Sequence, residues 1–80
     1  MQMHHNWYMH LSRPLEDLLS RNFALVIRRM AMVSDELSGR RIAYLSGVPP
    51  VSAARVLSTL VEVGLVKSRY LGQSKVYQLN

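Results

Sequence analysis

Apolar residues recur three and four apart between Leu15 and Val61 and two apart after Gly64. The change of period divides a helical region from a strand region. Behind Pro14, a residue suited to a first helical turn, Leu15, Leu18 and Leu19 have helical spacing. Glu16 and Asp17 sit at the end of that helix where negative charge is favoured. Asn22 is a candidate cap for a longer helix over about 23–33, in which Phe23, Val26, Ile27, Met30 and Val33 share one face. The pattern leaves open whether 15–33 is one helix or two. Ser34-Asp35-Glu36 breaks the period, and Glu36-Leu37 predicts a very short strand. Ser38 is an N-cap residue for a second helix carrying Ile42, Ala43 and Leu45, which Gly47 is placed to end. A turn through Gly47-Val48-Pro49 leads to Pro50 at the first position of a third helix. Ala53, Leu57, Leu60 and Val61 predict its buried stripe, and Gly64 its end.

Beyond Gly64, Val66, Ser68 and Tyr70 alternate with Leu65, Lys67 and Arg69. Then come Leu71-Gly72-Gln73-Ser74 and an apolar group of Val76, Tyr77 and Leu79. This predicts a β-hairpin with a four-residue connection. The expected fold class is mainly α with a small β-hairpin. Residues 1–12 have no period and predict an N-terminal arm, with one folded domain over 13–80. A chain of 80 residues supports a single thin core. No internal repeat, low-complexity segment or linker interrupts it.

The order of helix, helix, tight Gly-containing turn, helix and hairpin resembles winged helix-turn-helix DNA-binding domains of the MarR and ArsR kind. The resemblance rests on Leu-Ser-Gly-Arg-Arg-Ile-Ala-Tyr-Leu-Ser-Gly-Val over 37–48 and on Leu-Ser-Thr-Leu-Val-Glu-Val-Gly-Leu-Val over 57–66. It also rests on a hairpin, or wing, that closes with Val-Tyr-Gln-Leu-Asn over 76–80. It covers just over half of the chain, and the first helix fits by pattern only. The module is also similar to the winged-helix segments that precede minimal nucleotidyltransferase domains, which run through Leu-Ser-Gly-Arg and end in Tyr-x-Leu-Asn. The chain is then expected to be either free-standing or part of a longer protein. The resemblance implies a three-helix core plus wing, with the third helix reading the major groove of DNA.

Charge sharpens this picture. Residues 1–37 balance Arg13, Arg21, Arg28 and Arg29 against Glu16, Asp17, Asp35 and Glu36. Residues 38–80 set Arg40, Arg41, Arg55, Lys67, Arg69 and Lys75 against Glu62 alone, so the whole net charge of +5 lies there. A polyanion is the partner such a half suits, and a solvated basic face is the plain alternative. With Ala53, Leu57 and Leu60 inward, the third helix turns out Val51, Ser52, Arg55 and Thr59. Arg55 has the fork that fits a guanine edge or a phosphate, and Ser52 is a short hydrogen-bonding group. Arg40 and Arg41 oppose the dipole of the second helix at its N-terminus, a cost that a docked phosphate reverses. Lys67, Arg69 and Lys75 surround Gly72 on the wing, suited to a minor groove or the DNA backbone; lysines there also block edge-to-edge pairing. Two departures from the family weaken direct readout. Pro49 stands where a Ser or Thr usually caps the third helix. Val51, Ala54 and Val56 leave its outward face poor in polar groups, so shape and backbone contacts are expected to dominate.

The remaining chemistry is mostly exclusion. There is no cysteine, which fits a reducing cytoplasm. The longest apolar runs, such as Phe23 to Ile27, are far short of a membrane span, and the N-terminus lacks a signal-peptide pattern. No phosphate loop and no usefully spaced carboxylate pair marks an enzyme, and neither a cofactor nor a small-molecule ligand is expected. His4, His5 and His10 with Met1, Met3 and Met9 do not have the spacing of a compact metal site. Trp7 and Tyr8, together with Leu25 and Met32 off the main stripe of the first helix, predict an apolar surface for a homodimer. The expected function is binding of double-stranded DNA by a transcriptional regulator, the alternative a protein-interaction or dimerisation module.

Overall fold

The computed structural model describes residues 20–80. The arm over 1–12, the stretch behind Pro14, and the candidates Trp7 and Tyr8 therefore lie outside the described residues. The described chain runs through a helix α1 over 20–31, a strand β1 (Leu37–Ser38), helices α2 (Gly39–Ser46) and α3 (Pro50–Glu62), and strands β2 (Val66–Leu71) and β3 (Ser74–Leu79). The strands form one antiparallel sheet in the order β1-β3-β2.

The α1 helix is already formed at Ser20 and Arg21, so Asn22 is inside it rather than capping it. Asn22 is only 6% exposed and takes the inward side with Phe23, Val26 and Met30. The helix face is thus turned slightly from the one its spacing predicts: Leu25 packs against the core, while Ile27 is exposed. The helix stops two residues before 33. Met32 N–H donates to the Arg29 carbonyl (3.1 Å) and Val33 N–H to the Met30 carbonyl (3.2 Å), bonds of the tighter kind that close a last turn.

Ser38 serves two elements. It pairs with Val76 across the sheet, and its Oγ accepts the Arg41 N–H (3.1 Å) as the N-cap of α2. Gly47 ends α2 at φ +70°, a conformation that costs a side-chain-bearing residue strain. The Val48 N–H returns to the Ala43 carbonyl (3.1 Å), and buried Val48 then closes the helix end against the core. Pro50 begins α3 as expected. No side chain caps this helix, but proline has no N–H to satisfy, so fewer donors are left orphaned.

The core gathers Val26 and Met30 of α1, Ile42 and Ala43 of α2, Val48, Val66 of β2, and Ala53, Val56, Leu57 and Leu60 of α3. Val56 was expected on the outward face of α3. It is 1% exposed, because 53, 56, 57 and 60 fall on one stripe, and Val61 borders it. Leu37, Tyr77 and Leu79 flank the core from the sheet face that carries Val66. The hairpin is tighter than its sequence suggests. Leu71 pairs with Ser74, so only Gly72 and Gln73 connect the strands. Gly72 has φ +66° and Gln73 does not have positive φ, the sign pattern of a type II′ turn with glycine first.

Candidate nucleic-acid interface

Three surface regions carry the cations of the second half. At the N-terminus of α2, Arg40 and Arg41 are both exposed and no acid occupies the first turn. Together with Ser38 and Tyr44 they line an open hollow of ≈ 340 Å³. The Arg41 guanidinium lies 5.8 Å from the centre of the Tyr44 ring, which is 76% exposed. The sequence reading missed Tyr44. Its signal was there: an aromatic three residues after Arg41 on a helix whose inward side is held by Ile42 and Ala43.

On α3, Val51 and Arg55 are exposed and Ser52 is half-buried. Ser52, Arg55 and Thr59 fall at i, i+3 and i+7 and share a side of the helix. The Thr59 hydroxyl donates to the Arg55 carbonyl (3.1 Å), so its hydrogen is committed within the helix and only its lone pairs face outward. Arg55 is therefore the one exposed cation of this helix.

The wing departs most from expectation. Arg69 is held by Glu36 in a two-pronged ion pair, Nε to Oε2 at 2.6 Å and Nη2 to Oε1 at 2.5 Å. Strand register explains the reach. Arg69 on β2 faces Val76 on β3, which faces Ser38 on β1; Glu36 lies two residues before Ser38 and so on the same side. The Arg69 side chain thus crosses β3 past Val76, which is 6% exposed although it is outside the main core cluster. The hydrogen-bonded guanidinium holds the Glu36 carboxyl below the usual carboxylate range, with the positive charges of Arg69 and Lys67 adding to the effect. The same partner raises Arg69 above its ordinary value. Glu36 stands 33 residues from Arg69, so no local spacing could reveal the pair. The remaining wing cations are Lys67 and Lys75. Lys75 lies 5.9 Å from the ring centres of both Tyr70 and Tyr77, its partners on one face of the hairpin.

Among the described residues, Arg69 with Glu36 is the one salt bridge, so the other cations of the second half, Arg40, Arg41, Arg55, Lys67 and Lys75, like Arg21, Arg28 and Arg29 of α1, make none. Of the proposed dimer residues, Leu25 is half-buried against the core and Met32 is 71% exposed. No group of three or more metal-ligating residues occurs among the described residues, and the three histidines lie outside them. No helix among the described residues is long and apolar enough to cross a membrane.

No protein-family model matches the chain, and no curated protein matches it. Among solved structures, it is similar to the transcriptional regulator PA3341, with a TM-score of 0.67 and 30% identity over 99% of this chain. The chain spans 61% of that regulator's length. It is also similar to human N-acetylserotonin methyltransferase, with a TM-score of 0.63 and 16% identity, over 91% of this chain and 23% of that one. At that identity the likeness is one of fold alone. Among the described residues, three helices, with the Gly47 turn between α2 and α3, and a three-stranded antiparallel sheet ending in a hairpin make a winged helix-turn-helix domain, a fold shared with the regulator PA3341.

Proposed function

We propose that this domain binds duplex DNA as a transcriptional regulator or as part of one, with α3 in the major groove and the hairpin beside the backbone or minor groove. The observation that carries the reading is the set of cations that make no salt bridge among the described residues of the second half, Arg40, Arg41, Arg55, Lys67 and Lys75, spread over α2, α3 and the wing. The 30% identity with a transcriptional regulator supports it. The likeness to a methyltransferase brings no catalytic role, since it extends to 23% of that enzyme and to fold alone.

Affinity on this reading comes mainly from phosphates. If four of the five cations touch the backbone, log K falls with log salt at a slope of about −3.6, from roughly −0.9 per contact. Titration of a labelled duplex by fluorescence anisotropy at several salt concentrations measures it. Binding that is absent at about 50 mM salt, or that ignores salt, overturns the reading and leaves a protein-interaction role.

Two copies paired through α1 would carry two α3 helices to one duplex, as paired reading helices require. Exposed Met32 at the end of α1 supports this pairing. Sedimentation equilibrium is expected to return a dimer, and a monomer at tens of micromolar removes it.

A further inference from the structure

The outer end of the hairpin places large apolar side chains in solvent. Every residue from Tyr70 to Lys75 is exposed, and Tyr70 and Leu71 remain 68% and 56% accessible. They sit on opposite faces. Tyr70 pairs with Lys75 on one face, and Leu71 shares the other with Lys67, four residues earlier on the same strand. At the tip itself Tyr70 is bordered by Lys75, while Leu71 shares its face with Arg69 and, farther back near the base of the strand, with Lys67. No acidic residue occurs anywhere from 63 to 80. The hairpin is held at its middle by Arg69 on Glu36, and its end is a two-residue turn.

We infer that the hairpin tip is a wedge for the minor groove of duplex DNA, with Leu71 entering between base pairs and Lys67 and Lys75 meeting the phosphates on either side. The inference rests on the DNA-binding reading above and adds that binding bends the DNA. Three arguments select this occupant. Protein interfaces are depleted in lysine, because burying an ammonium group without a partner is costly. A tip with exposed apolar side chains, free of acids and backed by lysines along the hairpin, suits a surface of stacked bases edged by phosphates. The minor groove is only about 6 Å wide, so it admits a narrow tip and excludes a helix. An apolar side chain pushed between base steps unstacks them and kinks the duplex, most cheaply at flexible pyrimidine–purine steps. A site containing a TA step at the wing position is therefore bound in preference to one with a stiff A-tract there.

The test uses the full chain and a duplex of about 30 base pairs labelled at both ends with a donor and an acceptor dye. Saturating wild-type protein is expected to raise energy transfer by bringing the ends closer. Leu71→Ala is expected to abolish that rise and to weaken binding roughly tenfold, the size expected for one large apolar group left in water. It removes no charge, so its salt slope stays that of wild type. Lys67→Ala keeps the bend and lowers the slope by about 0.9. Leu71→Met restores the bend. Since Leu71 is an exposed tip residue, its variants keep the urea midpoint of wild type. Salt-dependent binding without bending by wild type, or an undiminished bend in Leu71→Ala, overturns the wedge and leaves the DNA-binding reading standing. A loss of self-association in Leu71→Ala at unchanged DNA affinity also overturns it, assigning the tip to a protein contact. Wild-type protein that fails to bind at about 50 mM salt removes both readings together.

Discussion

Leu57→Ala should lower the stability of the folded domain by about 2–5 kcal/mol, the range for emptying a large aliphatic site in a packed core. Leu57 has no solvent exposure and lies in the cluster where α1, α2, α3 and β2 meet. A methyl group built on Gly39 would lie 3.7 Å from its Cδ1, so Leu57 also supports the start of α2. Truncation leaves a cavity where these elements meet. Small domains hold only about 5–15 kcal/mol against unfolding, so this loss is a large fraction of the whole. Urea unfolding followed by circular dichroism should show a lower midpoint at unchanged m-value. Val51→Ala, at a position 71% exposed, should shift stability by no more than about 0.5 kcal/mol. A Leu57→Ala change of similar size would mean that the helices do not pack as described.

Arg55→Ala should cost about 1–3 kcal/mol in DNA affinity and flatten any preference at one base position. The expectation comes from its surroundings on α3. Its guanidinium has no acidic partner among the described residues, and its carbonyl accepts the Thr59 hydroxyl, which removes the donor of one neighbouring reader. Val51 and Ala54 are exposed but have no polar atoms in their side chains, so little else on this face can tell one base from another. Competition of labelled against unlabelled duplexes that differ at single positions reads both effects. Unchanged affinity with folding intact would remove α3 as the reading helix.

The elements of the second half were largely legible because each boundary has a local chemical cause. Ser38 caps, Gly47 supplies a positive φ, Pro50 opens a helix, and the period changes beyond Gly64. What escaped was decided between distant segments or by a small rotation. Asn22 has the chemistry of a cap, yet the helix already runs through it, and burial against the core outweighs that preference. Val56 is one residue from a predicted core position, and helical period alone does not say how wide a buried stripe is until the facing elements are in place. Leu71 and Ser74 look like turn residues beside Gly72, but Leu71 still pairs across the hairpin because a II′ turn needs only two residues. The basic surface was legible by residue type. The pairing of Arg69 was not, since its partner lies beyond β3 and across 33 residues of sequence.

The segment that joins α1 to β1 is fastened to the wing twice. The Gln78 side-chain amide donates to the Ser34 carbonyl at 2.5 Å, and Glu36 clasps Arg69. Both fastenings grip strands of the hairpin, and both hang from the few residues that follow Met32. The hairpin is therefore a lever whose short arm is tied to the segment behind the first helix. Six residues of strand extend about 20 Å, so a tilt of about 5° at the base swings the tip by about 1.7 Å. That exceeds the tolerance of a hydrogen bond. A small shift of the segment behind the first helix is thus magnified at the far end of the wing.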